Sequence, residues 1–224
     1  MSKLAFVFPG QGSQQVGMLS DSKAELASIF ERASNALGYD LWYLIQNDPE
    51  DKLNQTEFTQ PALLTASVGL WYLAKEKGTT PDVVAGHSLG EYSALVAAEV
   101  LSFEEAVVLV QKRGQFMQSA VPLGEGGMAA ILGLDDDEVI AICERQADGQ
   151  IVQAANFNSP GQVVVAGNVA ALERVIDACK ESGAKRAMQL AVSAPFHCQL
   201  MQPAADQMSE LLHNIEFQEP KIAV

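Results

Sequence analysis

The sequence predicts an α/β fold: a parallel-sheet lobe that carries an inserted β-α-β-β-α-β unit of ferredoxin-like order. Three observations predict it. Short apolar runs alternate with long helical patterns in the first half, and from about Leu123 the chain changes to short strands interleaved with two amphipathic helices. With 48% hydrophobic and 19% charged residues over 224 positions, the chain has material for a core, and a disordered or low-complexity class is excluded.

Leu4 to Phe8 reads as a buried strand that breaks at Pro9-Gly10 into a loop rich in Gly and Gln, and Asp21 to Leu37 follows as an amphipathic helix. A second helix is expected to start near Pro61, since proline suits the first helical position, and to run to Lys77 before Gly78. Val83 to Ala85 is a short strand that passes through a tight turn into the helical Glu91 to Ala98. Ser102 and Glu105 have the form of a capping box opening a helix to about Ser119. In the inserted unit, strands are expected at Met128 to Leu132, Ile151 to Ala155, Gln162 to Ala166 and Arg186 to Val192. Helices are expected at Asp136 to Arg145 and Val169 to Ser182. The larger lobe resumes after Pro195 with a helix from about Pro203 to His213. The expected division is therefore residues 1–122 with 196–224 as one discontinuous lobe, and 123–195 as the insert. The closing run Pro220 to Val224 reads as the start of a strand with no partner following it, as if the chain were cut from something longer.

Fourteen basic against twenty-eight acidic residues give a net charge of −14, which disfavours nucleic acid and anionic membrane as partners. An anionic ligand must then be caught locally. The first apolar run is too short for a signal-peptide core, and stretches such as Pro61 to Ala74 fall short of a membrane span. Cys143, Cys179 and Cys198 contain no CxxC pair and cannot all be bridged, so a cytoplasmic setting is expected.

Gly86-His87-Ser88-Leu89-Gly90 matches G-x-S-x-G, a strand-to-helix turn that lifts a serine into the open. An ordinary strand-to-helix turn fits the same five residues. A serine needs a base, and of the three histidines His197 fits best, on a loop at the exit of the insert. His87 is adjacent to the serine and diverges from it, and His213 reads as a solvated helix-end residue. Cys198 is the alternative nucleophile, although no elbow presents it. Pro9-Gly10-Gln11-Gly12-Ser13 is no phosphate loop, because G-x-G-x-x-G fails and no Lys follows. Its glycines let the amide of Gln11 approach a developing oxyanion together with the amide of Leu89; a plain turn accounts for them equally. Arg113 shares the inward face of its helix with Ala106, Val110 and Met117, and a guanidinium there fits an acyl group bearing a free carboxylate. A snorkelling Arg, or one paired with an internal Glu, is the competing account.

These residues together resemble the malonyl-CoA:acyl carrier protein transacylase family and the related acyltransferase domains of fatty-acid and polyketide synthesis. Phe8-Pro9-Gly10-Gln11-Gly12-Ser13-Gln14, Thr59-Gln60-Pro61-Ala62-Leu63, Gly86-His87-Ser88-Leu89-Gly90-Glu91, Arg113 with Met117-Gln118, Asn156-Phe157-Asn158-Ser159-Pro160-Gly161-Gln162 and Pro195-Phe196-His197 occur in the family's order. The resemblance implies a hydrolase-like α/β lobe with the ferredoxin-like insert, and a serine acyl-enzyme with Ser88 as nucleophile, His197 as base, and Gln11 and Leu89 as oxyanion-hole donors. It further implies substrate contacts from Arg113, Met117, Asn158 and Phe196, with Phe196 the malonyl-selecting form of its motif. Malonyl-CoA and acyl carrier protein are the implied partners, with CoA thioester as substrate, no cofactor or metal, and a monomeric state. Lys185-Arg186 is a candidate basic patch for an acidic carrier protein. Members of that family continue beyond the point where this chain stops, so the C-terminal part of the larger lobe is expected to be missing, with the group that orients His197.

Overall fold

The chain's first strand, β1 (Ala5–Phe8), pairs in parallel with β2 (Val83–Gly86), with Phe8 opposite Gly86. Because the strands are parallel and in register at their C-terminal ends, the loop leaving β1 and the turn leaving β2 emerge side by side. The computed structural model describes residues 3–224, which form two compact units. The first contains the described residues up to Gln115 together with Glu210–Val224, and the second is Phe116–Ser209.

In the first unit α1 (Lys23–Leu37) buries Leu26, Ile29, Phe30 and Ala33, the i, i+3, i+4, i+7 stripe expected of a helix with one inward face. It ends at Gly38, which adopts φ 80° and donates its N–H to the Ser34 carbonyl. A short helix, α2 (Leu41–Asn47), follows, capped by Asp40 accepting from the Tyr43 amide. Seven residues give under two turns of periodicity, which is why pattern alone does not announce it. The next helix, α3, spans Thr56–Glu76 and starts five residues before the expected Pro61. Proline forfeits only the bond to the Glu57 carbonyl, while Thr59 Oγ1 donates to the Leu53 and Gln55 carbonyls and holds the additional turn. α4 (Gly90–Ala97) follows β2, and α5 (Phe103–Ser119) opens where Ser102 Oγ accepts from the Glu105 amide, the expected cap. Phe8, Trp71, Val84, Ala94, Ala97 and Ala98 form one buried cluster of this unit.

The C-terminal run does find a partner. Val84 N–H donates to the Ala223 carbonyl at 2.8 Å, and Ala223 bridges Val83 in parallel; Lys221 and Gln218 N–H groups bond the Ala98 and Val100 carbonyls.

The second unit contains β3 (Gly126–Leu132), α6 (Asp136–Gln146), β4 (Val152–Ser159), β5 (Gln162–Asn168), α7 (Val169–Glu181), β6 (Arg186–Gln189) and α8 (Gln202–Leu212), the last running on to the division between the units. The sheet order is β4-β5-β3-β6 with every pair antiparallel, the ferredoxin-like arrangement that the β-α-β-β-α-β pattern requires. One face carries α6 and α7, with Leu172 and Val175 of α7 in one buried cluster with Ile131, Val163 and Val165; the other buries Met128, Val164 and Ala166 with Met117 and Phe196. β4 runs longer than expected because two register shifts let it continue to Ser159. β6 is shorter than the expected run to Val192: Val192 N–H donates to the Leu190 carbonyl, a three-residue turn that takes the chain out of the ladder.

Candidate active site

The turn after β2 is as tight as its glycines suggest. A Cβ on Gly86 would lie 1.9 Å from the Gly90 carbonyl carbon, and one on Gly90 would lie 2.1 Å from the Phe8 carbonyl oxygen. Only glycine fits either place. Ser88 between them has φ 54°, the left-handed region that a non-glycine residue enters at a cost of order 1–3 kcal/mol. The amides of Gly90, Glu91 and Tyr92 donate to the carbonyls of His87, Ser88 and Leu89, so the helical ladder begins one residue beyond Leu89. Leu89 is buried, and the half-buried Ser88 is left at the strand's C-terminal end.

The loop leaving β1 lies against this turn, since the His87 amide donates to the Phe8 carbonyl at 3.1 Å. It is also tied to the start of α3. Thr56 Oγ1 donates to Gln11 Oε1 at 2.8 Å and Gln14 Nε2 donates to Asn54 Oδ1 at 2.9 Å.

Arg113 reaches the turn from α5. Its Nη2 donates to Ser88 Oγ at 3.1 Å, its Nη1 donates to Gln60 Oε1 at 2.8 Å, and the guanidinium sits 5.6 Å from the Tyr92 ring centre. Among the described residues no carboxylate forms an ion pair with it, and burial pulls its pKa down against the opposing pull of Tyr92 and Glu91. A cation held by neutral groups is placed to take up an incoming anion. Thr56 and Tyr92 lie outside the motifs quoted above, and Gln60 lies inside one, Thr59-Gln60-Pro61-Ala62-Leu63, with no role assigned to it there. The available signal was a glutamine, now 1% exposed, next to the long apolar run of α3.

The remaining candidates belong to the second unit. Phe196 is 6% exposed in the cluster with Met117, Met128 and Met201. His197 follows it, exposed and at φ 63°. Nearby, Ser193 Oγ donates to Gln118 Oε1 at 2.6 Å and the Gln199 amide donates to Gln153 Oε1 at 2.8 Å, which fixes both sides of the His197 loop. Asn158 is exposed near the end of β4, beside the turn at Pro160-Gly161. Cys198 Sγ donates to the Pro195 carbonyl at 3.2 Å and burial raises its pKa, which argues against a thiolate nucleophile. Among the described residues no three His, Cys, Asp or Glu side chains are grouped to hold a metal ion, and no helix is long and apolar enough to cross a membrane.

The acyl transferase domain model matches residues 5–224. Malonyl CoA-acyl carrier protein transacylase of Haemophilus influenzae is 56% identical over the whole of this chain, which spans 73% of that protein's length. The structure of the malonyl CoA-acyl carrier protein transacylase from Coxiella burnetii superposes with a TM-score of 0.96 at 52% identity, over 99% of this chain and 71% of the other. A malonyl-transacylase in complex with its type II PKS acyl-carrier protein also superposes with a TM-score of 0.96, at 55% identity over 99% of this chain and 73% of the other. The chain belongs to the malonyl-CoA:acyl carrier protein transacylase family of acyl transferases.

Proposed function

We propose that this chain transfers a malonyl group from malonyl-CoA to the phosphopantetheine thiol of acyl carrier protein, the supply step of fatty-acid synthesis. The observation that carries the reading is Arg113 donating to Ser88 Oγ: a cation with no carboxylate ion-pair partner among the described residues stands beside the serine of a strained elbow. In the proposed mechanism Ser88 attacks the thioester carbonyl while His197 takes its proton. The oxyanion is met by the amides of Gln11 and Leu89, and CoA leaves as the thiol. The carrier-protein thiol then attacks the acyl-serine and regenerates Ser88. Arg113 holds the distal carboxylate, and Met117, Asn158 and Phe196 complete the acyl site. No step calls for a metal or an organic cofactor.

The same proposal divides the chain into a catalytic lobe, residues 1–122 with 196–224, and an inserted subdomain, 123–195, acting as a monomer in the cytoplasm. Three free cysteines fit a reducing compartment. Lys185 and Arg186 are both exposed, as a docking patch for an acidic carrier protein requires. A serine hydrolase would share the elbow and the base, yet it has no use for a carboxylate clamp.

Intact-mass measurement after incubation with malonyl-CoA tests the acyl-enzyme. One malonyl adduct is expected on the chain and none on Ser88→Ala; an adduct that survives the substitution refutes the nucleophile.

A further inference from the structure

Arg113, Gln60, Thr56 and Gln11 form one directed line of hydrogen bonds. Arg113 Nη1 donates to Gln60 Oε1 at 2.8 Å, Gln60 Nε2 donates to Thr56 Oγ1 at 3.1 Å, and Thr56 Oγ1 donates to Gln11 Oε1 at 2.8 Å. With the second guanidinium bond to Ser88 Oγ at 3.1 Å, the line joins the elbow to the loop that leaves β1. Thr56 and Gln60 are each 1% exposed, so the bond between them is made where water does not compete, while the bonds at either end of the line are half-buried.

The direction of the line is set at its charged end. A guanidinium has donors only, so the Gln60 oxygen must face it and the Gln60 nitrogen must face the other way. Thr56 accepts that N–H, and its single hydroxyl proton is then available for Gln11. The hydroxyl at position 56 both accepts from one amide and donates to the next. Valine has nearly the same shape and does neither. Without the hydroxyl, Gln60 keeps a buried N–H lacking this acceptor; turning the amide over would set its NH2 against the guanidinium, donor against donor.

We propose that Thr56 is a positioning residue. Its hydroxyl fixes the amide orientation of Gln60 and Gln11, and through them the Arg113 guanidinium and the Gln11 loop. The inference rests on the malonyl-transfer reading for its consequence, and on the hydrogen-bond line alone for its geometry. Because Arg113 is the end of the line that meets an acyl carboxylate, loss of the hydroxyl affects malonyl-CoA more than acetyl-CoA.

The test uses the full chain with Thr56→Val, Thr56→Ala and Thr56→Ser, each checked for folding by thermal melting. Side-chain amide resonances of Gln60 and Gln11 are followed by NMR, and Ser88 loading from malonyl-CoA and acetyl-CoA by intact mass. In Thr56→Val both amide pairs are expected to shift, with malonyl loading down about tenfold and acetyl loading down less than about threefold. Thr56→Ser is expected to restore resonances and selectivity. If Thr56→Val does not fold, Thr56→Ala carries the same expectation, and a folded Thr56→Ser that loses selectivity overturns the proposal by itself. Unchanged amide resonances in a folded Val or Ala variant also overturn it, as do equal losses for both substrates. Failure of the unsubstituted chain to load at all contradicts the function reading alone, since the amide resonances need no substrate.

Discussion

Arg113 is a cation whose partners are an amide, a hydroxyl and an aromatic ring. Its inward position was legible from its spacing to Ala106, Val110 and Met117, because helical geometry is local. Its partners were not, since Gln60 lies 53 residues away and only the fold brings α3 to α5. A hydrogen bond to a charged group is worth about 1.5–3 kcal/mol, so Arg113→Ala is expected to slow malonyl transfer roughly ten- to hundredfold more than acetyl transfer. Steady-state rates with the two CoA esters check this; equal losses would remove the clamp. The sharp turn that presents Ser88 was likewise legible from the glycines at positions 86 and 90, where a Cβ would collide with backbone; the left-handed φ of Ser88 itself was not.

At the scale of elements, the approach of α5 to α3 decides whether Arg113 can reach Gln60. A Cβ on Gly114 would come within 2.6 Å of the Glu57 Cα, a backbone atom that cannot step aside. Gly114→Ala is therefore expected to push the helices apart, destabilising the chain by about 1–3 kcal/mol and lowering malonyl selectivity. Chemical denaturation and loading assays on the same variant read both effects. In the ferredoxin-like unit Leu172 is fully buried between α7 and the sheet, and Leu172→Ala is expected to cost about 2–5 kcal/mol in denaturation. That unit was read nearly whole from sequence, since each strand and helix carries its own period. The harder stretch was 41–61. There α2 is too short to show a period, and Pro61 suggested a helix start where buried threonines in fact extend the helix back to Thr56.

At the scale of the whole chain, a net charge of −14 makes each fixed cation informative. Lys75 and Lys221 both pair with Glu99, and Arg32 pairs with Glu104, holding both carboxyls below the ordinary 4.5. A depressed carboxylate pKa contributes stability that is present above 4.5 and lost as pH falls through the folded-state value. The thermal midpoint is therefore expected to fall on acidification below that point, and to fall less in Glu99→Gln. Burial raises the Cys143 thiol to about 12 and the Cys179 thiol to about 11, so neither is expected to react with a disulfide reagent before unfolding. The pairing of Ala223 with Val83 could not be read from sequence, because the partner strand lies some 140 residues earlier.

Transfer through Ser88 is tested by following the malonyl group on both proteins by intact mass. The chain is mixed with malonyl-CoA and phosphopantetheinylated acyl carrier protein. A malonyl mass is expected on Ser88, then on the carrier-protein thiol, and on neither when Ser88 is alanine. Malonyl carrier protein formed at the same rate by Ser88→Ala would contradict it.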